Sequence, residues 1–171
     1  MDTTEIRQIL RTNEHTKSIF LDVYAVDQLP KKKITQDRWL MVVNCCPINR
    51  QGEHWVCIFG DKNMGIDFFD SFGLSPVKYD KKITRFFHDQ GYPETGVKFN
   101  ANLLQDLDTD ACGHYCILFG RQRALGKSMS SIVELFSRIT RDTIVKYLVN
   151  TGFDLDRFIY EIFYLFEFSA R

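Results

Sequence analysis

Residues 103–120, LLQDLDTDACGHYCILFG, carry a thiol where a helix is expected to begin. Asp106, Asp108, Thr109 and Asp110 are short polar side chains of the kind that accept orphan amide hydrogen bonds at a helix start. Tyr115, Ile117, Leu118 and Phe119 form an apolar body behind them. Cys112 therefore falls in the first turn, where free amides and the helix dipole favour a thiolate. Gly113 removes a side chain beside it and would let a substrate backbone approach. Cysteine is also among the most buried residue types, so Cys112 taken alone reads as core, and Cys116 one turn later reads as core outright. A chemical role for Cys112 requires a base and an acid to orient that base.

The chain has four histidines, and His15 and His88 stand in polar, surface-like contexts. His54 opens the apolar run HWVCIFG after a loop containing Gly52, which puts an imidazole at a sheet edge where a cleft can form. Asp70 closes the next run, GIDFFD; a carboxylate beside an imidazole fixes its tautomer and stabilises the imidazolium. Nucleophile, base and orienting acid are thus all available. Asp67 competes with Asp70, but three positions apart in a strand the two face opposite ways. His114 competes with His54, yet it lies two residues from Cys112 on the same helix and points elsewhere. Gln105, just before the expected helix, could join the Cys112 amide in stabilising an oxyanion; otherwise it is an ordinary loop glutamine.

Other chemistries find less support. Cys45, Cys46, Cys57, Cys112 and Cys116 do not form the paired knuckles of structural zinc, although folding could bring Cys112, Cys116 and His54 together, and no metal site is expected. GDKNMG is not followed by a phosphate-binding helix. Twenty-two basic residues balance twenty-two acidic ones, so no global field attracts nucleic acid or an anionic membrane. The N-terminal residues are polar and charged rather than a secretory leader, no apolar run is long enough to span a bilayer, and five cysteines do not suggest a disulfide framework. A reducing intracellular compartment is expected, not secretion.

The elements that must position these residues follow from periodicity. A short helix is expected at 5–10, capped by Thr3 or Thr4, and then a polar break at 11–17. Residues 20–30, FLDVYAVDQLP, end at Pro30 with turn material at Asp27 and Gln28, and Lys31, Lys32 and Lys33 read as a solvated loop. Strands are expected at 39–46, 54–60 and 65–70, separated by turns at 47–52 and 61–65. A helix at 81–90 ends before Gly91 and Pro93, and a fourth strand is expected at 95–100. After a link at 124–130, with Ser130 or Ser131 as a cap, apolar residues recur at helical intervals over 132–149 and again over 155–168. With 171 residues and no internal repeat or linker, the chain reads as a single α+β domain with a helical C-terminal part from about 130.

His54-Trp55, FFDSFG at 68–73, Gln105 and DACGHYC at 110–116, in that order, resemble the adenovirus maturation protease family and the related SUMO-deconjugating cysteine proteases. The resemblance covers roughly residues 5–120, and the FLDVYAVDQLP segment is more similar to the viral branch, which includes adenovirus-like viruses and Maverick or Polinton elements. It implies the adenain/ULP-like fold: a central mixed sheet flanked by helices, with the nucleophile at the N-terminus of a buried helix. It also implies roles: Cys112 as nucleophile, His54 as base, Asp70 as orienting acid, Gln105 as oxyanion-hole donor, and Trp55 with Gly113 walling the cleft. The implied reaction is peptide hydrolysis through an acyl-enzyme, with glycine-containing sites favoured by a narrow slot.

Two departures bear on regulation. The adenoviral enzyme is activated by a disulfide-tethered peptide and by DNA, but no cysteine lies between Cys57 and Cys112 where the tether is expected, and the neutral charge offers DNA no bulk attraction. The acid here is aspartate, as in the SUMO-protease branch, rather than the adenoviral glutamate. The expected function is a cysteine endopeptidase that cuts viral capsid or core precursors during virion maturation, located in the virion and the host nucleus or cytoplasm. No cofactor is expected for the chemistry, with an activating peptide or DNA as the open question. The alternatives are an isopeptidase that removes a ubiquitin-like modifier and a non-catalytic interaction module.

Overall fold

The computed structural model describes residues 1–50, 52, 54–93, 96–139 and 141–169, with side chains described through residue 162. Its centre is a five-stranded sheet in sequential order: β1 (Phe20–Ala25), β2 (Arg38–Asn44), β3 (Trp55–Asp61), β4 (Gly65–Phe69) and β5 (Val97–Phe99). The middle strands pair antiparallel, whereas β1 on β2 and β5 on β4 are parallel. The helices are α1 (Thr3–Thr12), α2 (Lys81–Asp89), α3 (Cys112–Ala124), α4 (Met129–Arg138), α5 (Asp142–Thr151) and α6 (Leu155–Ser169). The architecture is therefore α+β, a mixed central sheet flanked by helices.

Both faces of the sheet are covered, so the central strands are continuous apolar runs rather than alternating ones. Leu40, Val42, Cys57, Phe59 and Phe69 face α1, α3 and the C-terminal helices. Trp39, Met41, Val43, Val56, Ile58, Ile66 and Phe68 face α2, which contributes Ile83, Phe86 and Phe87. The first layer buries α3 on nearly every side, from Cys112 through Gly120. Phe69 stacks on Phe119 with centroids 4.3 Å apart, which fixes α3 against the strand that leads into Asp70. Gly60 and Gly120 make close approaches possible, since a Cβ would lie 2.0 Å from the Trp39 ring and 2.8 Å from Leu40, respectively.

Several expectations are corrected. Residues 20–25, read only as a segment ending in a turn, form an edge strand, so the sheet has five strands rather than four. Asp27 and Gln28 do turn, in a short 3-10 segment. Asp2, not Thr3 or Thr4, caps α1, through a reciprocal box with Glu5. Ser128, not Ser130 or Ser131, caps α4 by accepting the Ser131 amide. The periodic run at 132–149 is two helices: the chain leaves helical geometry at Ile139 and is extended at Arg141 before α5 begins. Strand β2 ends before Cys45 and Cys46. Thr95 in the expected fourth strand, Gln51 in the expected 47–52 turn and Thr140 in the expected helical run lie outside the described residues. Among the described residues, no helix is long and apolar enough to cross a membrane.

Candidate active site

His54 immediately precedes β3, and its carbonyl accepts the Cys45 amide at 2.9 Å, extending the strand pairing past the end of β2. Asp70 immediately follows β4, the antiparallel neighbour of β3. The two side chains therefore emerge at the same end of the sheet. His54 Nε2 lies 2.6 Å from Asp70 Oδ1, with the imidazole 8% exposed and the aspartate fully buried.

Asp70 is held by more than the histidine. Oδ1 also accepts the Phe72 amide at 3.0 Å, while Oδ2 accepts the Leu74 amide at 2.9 Å and the Tyr79 hydroxyl at 2.7 Å. Its backbone is clamped by Asn100, whose Oδ1 accepts the Asp70 amide and whose Nδ2 donates to the Asp70 carbonyl. Gly73 makes the tight turn behind it at φ +72°, where a Cβ would lie 2.6 Å from the Asn102 carbonyl oxygen. Burial works against the carboxylate, but these donors and the imidazole outweigh it and hold the Asp70 carboxyl below its usual range.

The imidazole is stacked on Phe72 at 4.6 Å between centroids and lies nearly parallel to Tyr79 at 5.9 Å. Burial alone would lower its pKa, but Asp70 and the Cys112 thiol raise it to about 9. Its other nitrogen, Nδ1, is buried without a hydrogen-bond partner among the described residues. Cys112, at the first residue of α3, is 7% exposed. Burial would raise its pKa, yet the His54 imidazole and backbone hydrogen bonds from Trp55 and Gly113 bring it below the ordinary thiol value. The cysteine and histidine are thus close enough to shift one another, although His54 Nδ1 makes no closed hydrogen bond at rest. Both shifts run toward the charged form of the group.

Gln105 is buried and tied at both ends of its amide. Oε1 accepts the Ser71 hydroxyl at 2.8 Å, and Nε2 donates to the Thr109 carbonyl at 2.7 Å, leaving the second Nε2 proton without a hydrogen-bond acceptor among the described residues. The Ser71 carbonyl accepts the amides of Leu104 and Gln105. Asp70 and Gln105 are thereby linked through adjacent residues of one loop.

The expected cap of α3 is corrected. Ala111 occupies the cap position without a side-chain hydrogen bond. Thr109 instead donates to Asp142, and Asp110 pairs with Lys146, both on α5. Asp106 and Asp108 are exposed. Gly113 is also different from expectation: it is buried, and the space a Cβ would use is bounded by Ile6, Met1 and Trp55 at 3.3–3.4 Å. Its small size therefore serves the packing of α1 and Trp55 onto α3. Trp55 is 9% exposed and also lines a cavity of about 200 Å³ with Arg7, Tyr24, Asn44 and Ile48.

The competing residues are engaged elsewhere. Asp67 Oδ2 lies 3.0 Å from Arg123 Nε in a buried pair, close but not aligned as a hydrogen bond. His114 is buried, with burial holding its pKa down to about 4. His15 and His88 are exposed. Cys57 and Cys116 are fully buried with raised pKa values, as core thiols are. Among the described residues, no cluster of His, Cys, Asp or Glu could hold a metal ion. Tyr79 and Asn100 are additions that sequence reasoning missed: both are polar residues at element ends with no local signal of their partner. Ser71 and Phe72 lie inside the FFDSFG run, where adjacency to Asp70 was the available clue.

Among solved structures, the chain is similar to the central domain of the uncharacterized Lpg1148 protein from Legionella pneumophila. The TM-score is 0.56 at 10% identity, covering 89% of this chain and 94% of that one. Likeness at this identity concerns the fold alone. No family model and no curated protein matches the sequence.

Proposed function

We propose that this chain is a cysteine endopeptidase of the adenain/ULP-like fold that cleaves viral precursor polypeptides. The observation that carries the reading is the buried His54–Asp70 contact of 2.6 Å, with His54 raised to about 9 and Cys112 lowered beside it. A buried cysteine without a chemical role has no need of this arrangement, since burial alone raises a thiol, as it does for Cys57 and Cys116.

In the proposed reaction the Cys112 thiolate attacks the scissile carbonyl, forming a carbon–sulfur bond and an oxyanion. The Cys112 amide and the free Nε2 proton of Gln105 stabilise that charge. As the intermediate collapses, the carbon–nitrogen bond breaks and the His54 imidazolium gives its proton to the leaving amine. Neutral His54 then takes a proton from water, which attacks the thioester to release the acid and regenerate the pair. Asp70 keeps the imidazole oriented throughout. Exposed Leu74, Leu103 and Leu107, near Asp70 and Gln105 in sequence, suit an extended polypeptide better than a small polar substrate.

The test is intact-mass analysis after incubation with a glycine-ended peptide vinyl sulfone or a ubiquitin-like vinyl sulfone, using wild type, Cys112→Ala and His54→Ala. Selective labelling at Cys112 that is lost with His54 supports the reading. Preference for the peptide supports the maturation protease, and preference for the folded modifier moves the assignment to a deconjugating isopeptidase. No labelling by either probe, with DNA and precursor peptides also present, leaves a non-catalytic module.

A further inference from the structure

The loop that carries Gln105 is held on two sides. On the sheet side it is tied to Ser71 through the amides of Leu104 and Gln105 and through the Gln105 side chain. On the other side stands Asp142, the first residue of α5, which is 4% exposed. Its Oδ2 accepts the Thr109 hydroxyl and, at 3.3 Å, the Asp106 amide. The Tyr115 hydroxyl lies 2.9 Å from both Asp142 Oδ1 and the Leu104 carbonyl and shares one proton between them. One carboxylate thus reaches residues 104, 106 and 109, bracketing Gln105. Thr109 is the residue whose carbonyl accepts the Gln105 amide.

We infer that Asp142 is a positioning residue for the oxyanion-stabilising amide: through Thr109 and Tyr115 it sets where the free Gln105 Nε2 proton points. The inference rests on the proposed acyl-enzyme reading and extends it to the C-terminal helices. Asp142 bonds to Asp106, Thr109 and Tyr115 and to neither Cys112 nor His54, so its loss is expected to act on the developing oxyanion and leave the thiolate intact. A rigid loop is required because a donor displaced by about 1 Å forfeits much of its effect on a transition state.

Two reactions of Cys112 separate these contributions without knowledge of the natural substrate. Alkylation by iodoacetamide needs only the thiolate, whereas acylation by N-acetylglycine p-nitrophenyl ester passes through an oxyanion. Both are followed at Cys112 by mass, and the ester also by p-nitrophenolate release. Asp142→Asn and Thr109→Val are expected to slow acylation roughly 10- to 100-fold, with an unchanged pH profile of alkylation. Thr109→Ser, which keeps the hydroxyl, is expected to restore the rate. Acylation within about twofold of wild type in both variants, parallel slowing of alkylation, or failure of serine to restore the rate would overturn the inference. Should Asp142→Asn not fold, the Thr109 pair decides alone. A wild-type Cys112 that alkylates no faster than a free thiol overturns the proposed function itself, and this inference with it.

Discussion

Asp70→Asn removes the charge from the centre of the candidate site while keeping its shape. The rise of His54 from 6.5 to about 9 corresponds to about 3 kcal/mol of preference for the imidazolium, supplied by Asp70 and the Cys112 thiolate against the opposing effect of burial. An asparagine has one acceptor oxygen and so keeps either the Phe72 or the Leu74 amide, which the carboxylate takes on separate oxygens, while the Asn100 clamp on the backbone is expected to hold the loop. Without the carboxylate, burial dominates and His54 falls to 6.5 or below. The thiol, deprived of an imidazolium, rises toward or above its ordinary 9.0. At pH 7 that leaves roughly 1% of Cys112 as thiolate. The assay is the rate of Cys112 carbamidomethylation between pH 4 and 10. Wild type should alkylate at lower pH than an ordinary thiol, and Asp70→Asn should be slower at pH 6–7, by up to about 100-fold, converging with wild type near pH 10. Superimposable profiles below pH 8 would refute the assignment of Asp70 as the source of the ion pair.

Two further predictions concern stability. His114 is folded in at about 4 against an ordinary 6.5, so the unfolded chain binds the extra proton between those values. Its contribution is complete above pH 6.5 and is lost as pH falls toward 4, by up to about 3 kcal/mol; urea unfolding of His114→Leu should lack that slope, and equal slopes in the two proteins would rule out His114 as its source. In the buried Asp67–Arg123 pair, Arg123→Met strands a carboxylate and should cost about 3–5 kcal/mol, whereas adding Asp67→Leu should recover most of it. A double variant no more stable than Arg123→Met would show that the guanidinium stabilises chiefly through its stack on Phe59, 4.2 Å from the ring centroid.

The central strands and the position of Cys112 at a buried helix start were legible because they depend on local pattern: long apolar runs bounded by turn residues, and a thiol ahead of an apolar body. The choice of Asp70 over Asp67 was likewise within reach, since three positions along a strand reverse the face. The edge strand at 20–25 was harder, because Asp22 and the turn residues Asp27 and Gln28 just beyond it blur its pattern, and Asp22 is there to pair with Arg7 at 2.6 Å. The caps were misjudged where two or more small polar residues adjoin and tertiary partners choose among them. Thr109 and Asp110 resemble cap residues but bond to α5 instead. Tyr79, Asn100 and Asp142 act across long stretches of chain, and nothing in their neighbours announces the groups they meet.

The sequential order of the sheet also bears on how the protein folds. His54 and Asp70 are sixteen positions apart and flank a single antiparallel hairpin, so their meeting requires little loop closure. Cys112 must instead arrive across the connection through α2 and the parallel strand β5, a longer-range and entropically costlier step. The imidazole and carboxylate are therefore expected to associate early, while the cysteine behaves as an ordinary thiol until α3 docks. If Cys112 is the nucleophile proposed above, a chain still on its way to the native state is expected to carry an ordinary thiol, with its reactivity toward oxidants or neighbouring chains rising as α3 docks.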